Sequence, residues 1–128
     1  MDRLKQRLEL ADVALSSLEE IVERAAASPL ERDAAILRFQ YSFEAVWKAA
    51  QHRLREREGI DASSPKQVIR SCLEAGLLDA VHTQKALVLV DDRNLSVHTY
   101  NEPLARQLAM RLAGHAVLLR QWLDALKR

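Results

Sequence analysis

Apolar positions recur with the period of an α-helix through most of this chain. Leu4, Leu8, Ala11, Leu15, Leu18, Val22 and Ala25 alternate spacings of four and three, which predicts an amphipathic helix packed along one stripe. A second helix is expected from about Pro29 to Glu58, with Ile36, Phe39, Phe43, Val46, Trp47, Ala50 and Leu54 inward. A short third, from about Pro65 to Ala75, would turn Val68, Ile69, Cys72 and Leu73 inward. The last runs from about Glu102 to Leu126, with Leu104, Leu108, Leu112, Leu119, Leu123 and Leu126 on one stripe. Gly114 interrupts it, at a cost of about 1 kcal/mol against alanine. The fourth segment, about Ala80 to Val97, is less decided. Ala86 to Val90 alone reads equally well as a buried strand, but a lone strand would have no partner, so a helix is expected.

Glycine and proline punctuate these segments. Pro29, Pro65 and Pro103 stand just before periodic stretches, and Gly59 and Gly76 just after them, as helix starts and ends require. Ser28-Pro-Leu-Glu31 and Ser64-Pro-Lys-Gln67 both fit a capping box. The expected architecture is an all-α, up-and-down four-helix bundle with one additional short helix, a single domain over residues 1–128.

Composition narrows the class. Apolar residues make up 48% and charged residues 29% of 128 residues, which suits a chain that folds around its own core. No apolar run approaches the roughly 20 residues of a membrane span. The polar opening MDRLKQRLEL carries no signal-peptide pattern, and the single cysteine, Cys72, excludes an internal disulfide and a cysteine-cluster metal site. A reducing cytoplasm is the expectation, with Cys72 a buried structural thiol. Lys and Arg number 19 against 18 Asp and Glu, a net charge of +1, so any contact with RNA must be local or assembled between subunits.

The stretch DDRNLSVHTY, Asp91 to Tyr100, gathers chemistry where a core helix would continue. On a straight helix Arg93 shares a face with Tyr100, and His98 lies about 140° from Arg93. These groups converge only if the helix ends or bends near His98, or if a second subunit brings its own copy. A histidine can move a proton near neutral pH, and an arginine can clamp a phosphate and stabilise charge on pentavalent phosphorus. Together they suit cleavage of RNA by its own ribose 2′-OH. No H-x-x-x-H or clustered carboxylate–histidine set of metal-ligand type is present, and no cofactor is called for. Asp91 and Asp92 either orient His98 or solvate a helix end. The bland reading of the stretch is surface punctuation, with cations favoured at a helix C-terminus. His52, His82 and His115 read as structural or exposed. The aromatic block Phe39 to Trp47 reads as bundle packing rather than a base-stacking surface, and Glu44 with Lys48 as an exposed helix pair.

RFQYSFEAVWKAAQHRL, SPKQVIRSCLEAGLL and DDRNLSVHTYNE, in that order, resemble the nucleotidyltransferase substrate-binding proteins of the HEPN superfamily, close to the HepT toxins. The likeness covers about Leu37 to Leu108, and its strongest piece is R-x4-H-x-Y, matched by Arg93, His98 and Tyr100 with polar Asn94 after the arginine. The resemblance implies a HEPN-like helical bundle and a homodimer in which two R-x4-H segments face each other. It implies a partner, a minimal nucleotidyltransferase encoded nearby. In toxin–antitoxin versions the HEPN protein is a metal-independent endoribonuclease, neutralised by AMP transfer to the motif tyrosine. Carried over residue by residue, Arg93 is the phosphate clamp, His98 the general acid or base, and Asn94 a residue that positions His98 or the ribose. Tyr100 is the modification site, and Asp91 and Asp92 are supports. The older family name implies an alternative, a non-catalytic substrate-binding subunit of a two-component nucleotidyltransferase. A purely structural dimerisation module is the third reading.

Overall fold

The computed structural model describes residues 2–128. Helix α1 spans Arg3–Ile21, α2 Pro29–Arg53, α3 Pro65–Glu74, α4 Ala80–Leu95 and α5 Glu102–Leu126, so all five expected helices form, the undecided fourth among them. No strand occurs among the described residues. None of the described helices is long and apolar enough to cross a membrane.

The helix ends follow the sequence signals. Ser28 Oγ accepts from the Glu31 amide at 3.1 Å, and Ser64 Oγ from the Gln67 amide at 3.3 Å. The second box reaches one residue further back than the motif prescribes, because Gln67 Oε1 accepts from the Ser63 amide at 3.0 Å. A wider π-helical turn, Leu54–Glu58, continues from α2 and stops at Gly59, whose φ of 68° is left-handed.

Helices α1, α2 and α5 pack on one another, and α3 packs on α4, which also touches α2 and α5. Arg38 donates to the Ser17 carbonyl and Ser42 to the Ala14 carbonyl, which fixes α1 and α2 antiparallel. The core holds nearly every residue expected inward, with Phe39, Phe43, Leu15, Leu18, Leu54, Leu108, Leu112 and Leu119 essentially inaccessible. Helix α5 is buried over a wider arc than one stripe, because it faces α1, α2 and α4; Trp122, between the periodic leucines, is fully buried.

Leu73 departs from expectation and is exposed. The turn after α3 takes its place. The amides of Leu77 and Leu78 bond to the Cys72 carbonyl at 2.8 and 3.3 Å, which drops both side chains into the core. Cys72 itself is buried, as expected, and burial pushes its thiol up to about 11.

Candidate functional site

Helix α4 ends at Leu95, and the break is built into the sequence. Ser96 Oγ donates to the Arg93 carbonyl at 2.5 Å and accepts from Gln40 Nε2 of α2 at 2.7 Å. A 3₁₀ turn follows over Ser96–His98. The Asn101 amide then donates to the His98 carbonyl at 3.0 Å, while Asn101 Oδ1 caps α5 through the Leu104 amide at 3.2 Å. The connector is therefore tied to α2, α4 and α5, and the helix ends near His98, as one of the two alternatives read from the sequence requires.

This turn brings His98 and Tyr100 together. His98 Nδ1 lies 3.2 Å from the Tyr100 hydroxyl, and the rings meet edge to face with centroids 5.8 Å apart. Both side chains are exposed, Tyr100 at 83%.

Arg93 points from the last turn of α4 toward α2. Its NH1 donates to Glu44 Oε2 at 3.2 Å, its Nε to Asn94 Oδ1 at 3.1 Å, and its Cζ lies 5.4 Å from the centre of the Phe43 ring. Glu44 is itself held by the Trp47 indole N–H at 3.1 Å and by Lys48 Nζ at 3.4 Å. Glu44 is thus more than an exposed helix pair: it anchors the arginine. Among the described residues no acceptor takes the NH2 protons of Arg93, so one edge of its guanidinium is free for a phosphate. No hydrogen bond joins Arg93 to His98 among the described residues.

The other expected site residues separate. Asn94 meets Arg93 and makes no bond to His98. Asp91 is exposed and pairs with Lys66 of α3 at 3.1 Å. Asp92 is buried and faces the opposite way, toward α5. Its carboxylate takes Arg111 Nε and NH2 at 2.8 and 2.9 Å and His115 Nε2 at 2.6 Å. Among the described residues neither acid bonds to His98. Burial disfavours the Asp92 carboxylate, but the hydrogen bonds from Arg111 and His115 outweigh it and hold the group below the usual range. His115 stacks on Phe39, with centroids 5.4 Å apart, so it is the structural histidine of the core.

The aromatic block divides by exposure. Phe39 and Phe43 are core residues and Trp47 is nearly so, while Tyr41 is 55% exposed on the stripe of α2 that also carries Leu37 and Glu44.

The family described as nucleotidyltransferase substrate binding protein like matches residues 6–128. A Thermus thermophilus protein of known crystal structure is 53% identical, with 92% of this chain and 99% of that one covered and a TM-score of 0.88. A tri-AMPylated HEPN toxin of Shewanella oneidensis, solved in complex with MNT antitoxin, shares the fold. It is 18% identical, with 99% of this chain and 98% of that one covered, at a TM-score of 0.79. So does a Haemophilus influenzae protein whose structure is described as the fold of a substrate binding domain of a nucleotidyltransferase. It is 22% identical, with 94% of this chain and 99% of that one covered, at a TM-score of 0.79. No curated protein matches the sequence significantly. This chain belongs to the nucleotidyltransferase substrate binding protein-like family, and its all-helical fold is the HEPN fold.

Proposed function

We propose that this protein is the HEPN component of a two-component HEPN/nucleotidyltransferase system and a metal-independent endoribonuclease. A minimal nucleotidyltransferase would silence it by transferring AMP to Tyr100. Arg93 is the phosphate clamp and transition-state stabiliser, and His98 the general acid or base. Asn94 acts through Arg93, whose Nε it holds, rather than through His98. Asp92 supports the site only by fastening α4 to α5.

The observation that carries this reading is the exposed end of α4. There an arginine keeps a free guanidinium edge, and a histidine and a tyrosine on the adjoining turn stand in contact. Arg93 and His98 of one chain do not bond to each other. A homodimer that faces two such ends would complete the pair. Val81, Val88 and Leu95, seven residues apart on the outer face of α4, are exposed and offer the apolar surface such a dimer needs. The Shewanella toxin of the same fold, itself AMPylated and bound to MNT antitoxin, supports both the partner and the modification.

Mixing inactive variants tests the shared site. Arg93→Ala and His98→Ala homodimers should each fail to cleave RNA, and subunit exchange between them should restore part of the activity if each site draws on both chains. Exchange that restores nothing would leave no site shared between subunits.

The second reading, a substrate-binding subunit with no chemistry of its own, draws on the Haemophilus protein's description and on Glu44, which already neutralises part of the Arg93 charge. It predicts nucleotide or substrate binding only in the presence of the nucleotidyltransferase, and no cleavage by the isolated chain.

A further inference from the structure

His98 and Tyr100 stand in a relationship that RNA cleavage does not use. The Tyr100 hydroxyl meets His98 Nδ1 at 3.2 Å, and no other side chain bonds to either group among the described residues. The contact is preorganised. Ser96 is tied to Gln40 and to the Arg93 carbonyl, and Asn101 to the His98 carbonyl, so the turn carrying both rings is pinned on each side. A neutral imidazole with its proton on Nε2 presents the Nδ1 lone pair to the phenol. That is the arrangement of a nucleophile and its base. The chain has one other tyrosine, Tyr41, which is 55% exposed and, among the described residues, has no histidine in hydrogen-bond contact.

We infer that His98 is the general base that activates Tyr100 for its own modification, so that the chain brings part of the catalytic machinery that silences it. This rests on the reading of Tyr100 as the acceptor. In the step, the Tyr100 hydroxyl oxygen attacks the α-phosphorus of a nucleoside triphosphate delivered by the partner. The phenolic proton passes to His98 Nδ1. The bond from the α-phosphorus to the bridging oxygen breaks, and its electron pair leaves with pyrophosphate. The product is a tyrosyl nucleotide phosphodiester and a histidinium, which returns its proton to solvent. The adduct is then seated against Nδ1 of the residue that RNA cleavage would need, so the histidine that assists the modification is the one the modification covers.

Two measurements on folded, full-length protein test this separately from the reading beneath it. The first needs no partner: an arylsulfonyl fluoride is applied, and labelling of the Tyr100 and Tyr41 peptides is followed by mass. Tyr100 should react at least tenfold faster than Tyr41, His98→Ala should remove the difference, and free imidazole should restore it, since base assistance is worth about 10²-fold or more. Equal labelling in wild type and His98→Ala would overturn the inference. The second follows AMP transfer by the nucleotidyltransferase. Slow transfer to His98→Ala, rescued by imidazole, supports the inference, and transfer at the wild-type rate overturns it. Wild type left unmodified at Tyr100 would remove the acceptor assignment instead, and the labelling comparison would still decide whether His98 activates the phenol.

Discussion

Glu44 of α2 and Arg93 of α4, 49 residues apart in sequence, form an ion pair of 3.2 Å with the guanidinium laid over Phe43. The pair holds the arginine in one pose while its far edge stays open. Trp47, through its indole N–H, holds Glu44 in turn. The local charge that a phosphate would meet is therefore less than a bare arginine supplies, and its direction is fixed.

Removing the anchor should therefore affect chemistry more than stability. Both partners are partly exposed, so Glu44→Gln should cost less than about 1 kcal/mol of folding free energy. Cleavage kcat should fall about tenfold as Arg93 loses its pose, while KM stays level or improves because a competing anion is gone. Single-turnover kinetics beside a urea titration would check both. A fall in stability with unchanged kcat would make Glu44 merely structural.

Arg93→Ala should lower cleavage by about 10²-fold or more, the usual loss when a preorganised donor to a transition-state oxyanion is removed. Its far-ultraviolet circular dichroism should match wild type, since the side chain reaches the surface. Arg93→Lys should recover little, because an ammonium lacks the planar fork.

Asp92 behaves differently, since it is buried against Arg111 and His115. Asp92→Ala should destabilise the bundle by about 3 kcal/mol, at the lower end for a broken buried pair because Arg111 is partly exposed. The pH dependence follows from the depressed carboxylate. A group whose folded pKa lies below its unfolded value adds stability above the unfolded value, about 3.9 for Asp, and loses it as pH falls through the folded one. Wild type should therefore lose stability on acidification below about pH 4, and Asp92→Asn should lose less over that span. Equal acid slopes in the two proteins would place that loss on other carboxylates.

Gly114 lies exposed within α5, and a methyl group there would meet nothing within 4 Å. Gly114→Ala should stabilise the chain by about 1 kcal/mol, seen as a higher thermal midpoint. Gly114 also lines a groove with Val88 and Met110 between α4 and α5. A variant that is destabilised only at high protein concentration would show that a second chain packs into that groove.

Most of the fold is legible in the sequence because caps and periodicity agree: Ser28, Ser64, Gly59 and Gly76 mark ends that the apolar stripes demand. Leu73 misleads because its spacing after Ile69 is helical, while the side chains that fill the core come from the turn after the helix. The site is legible as residue types and only partly as geometry. His98 and Tyr100 meet because α4 ends at Leu95, and that end is set by a hydrogen bond from Gln40, distant in sequence. Asp92 sits in a polar run that reads as solvated, yet its partners lie 19 and 23 residues away on α5. Glu44 is hidden by Lys48, four residues on, which offers a sufficient local partner.

If Arg93 and His98 are catalytic as proposed, the isolated chain cleaves RNA without metal. The direct measurement is cleavage of a mixed-sequence RNA by purified, unmodified wild type in excess chelator, beside His98→Ala and Arg93→Ala of matched stability. Wild type should leave 2′,3′-cyclic phosphate ends, and neither variant should. Equal cleavage by all three, or intact RNA with wild type that still binds its nucleotidyltransferase, would contradict it.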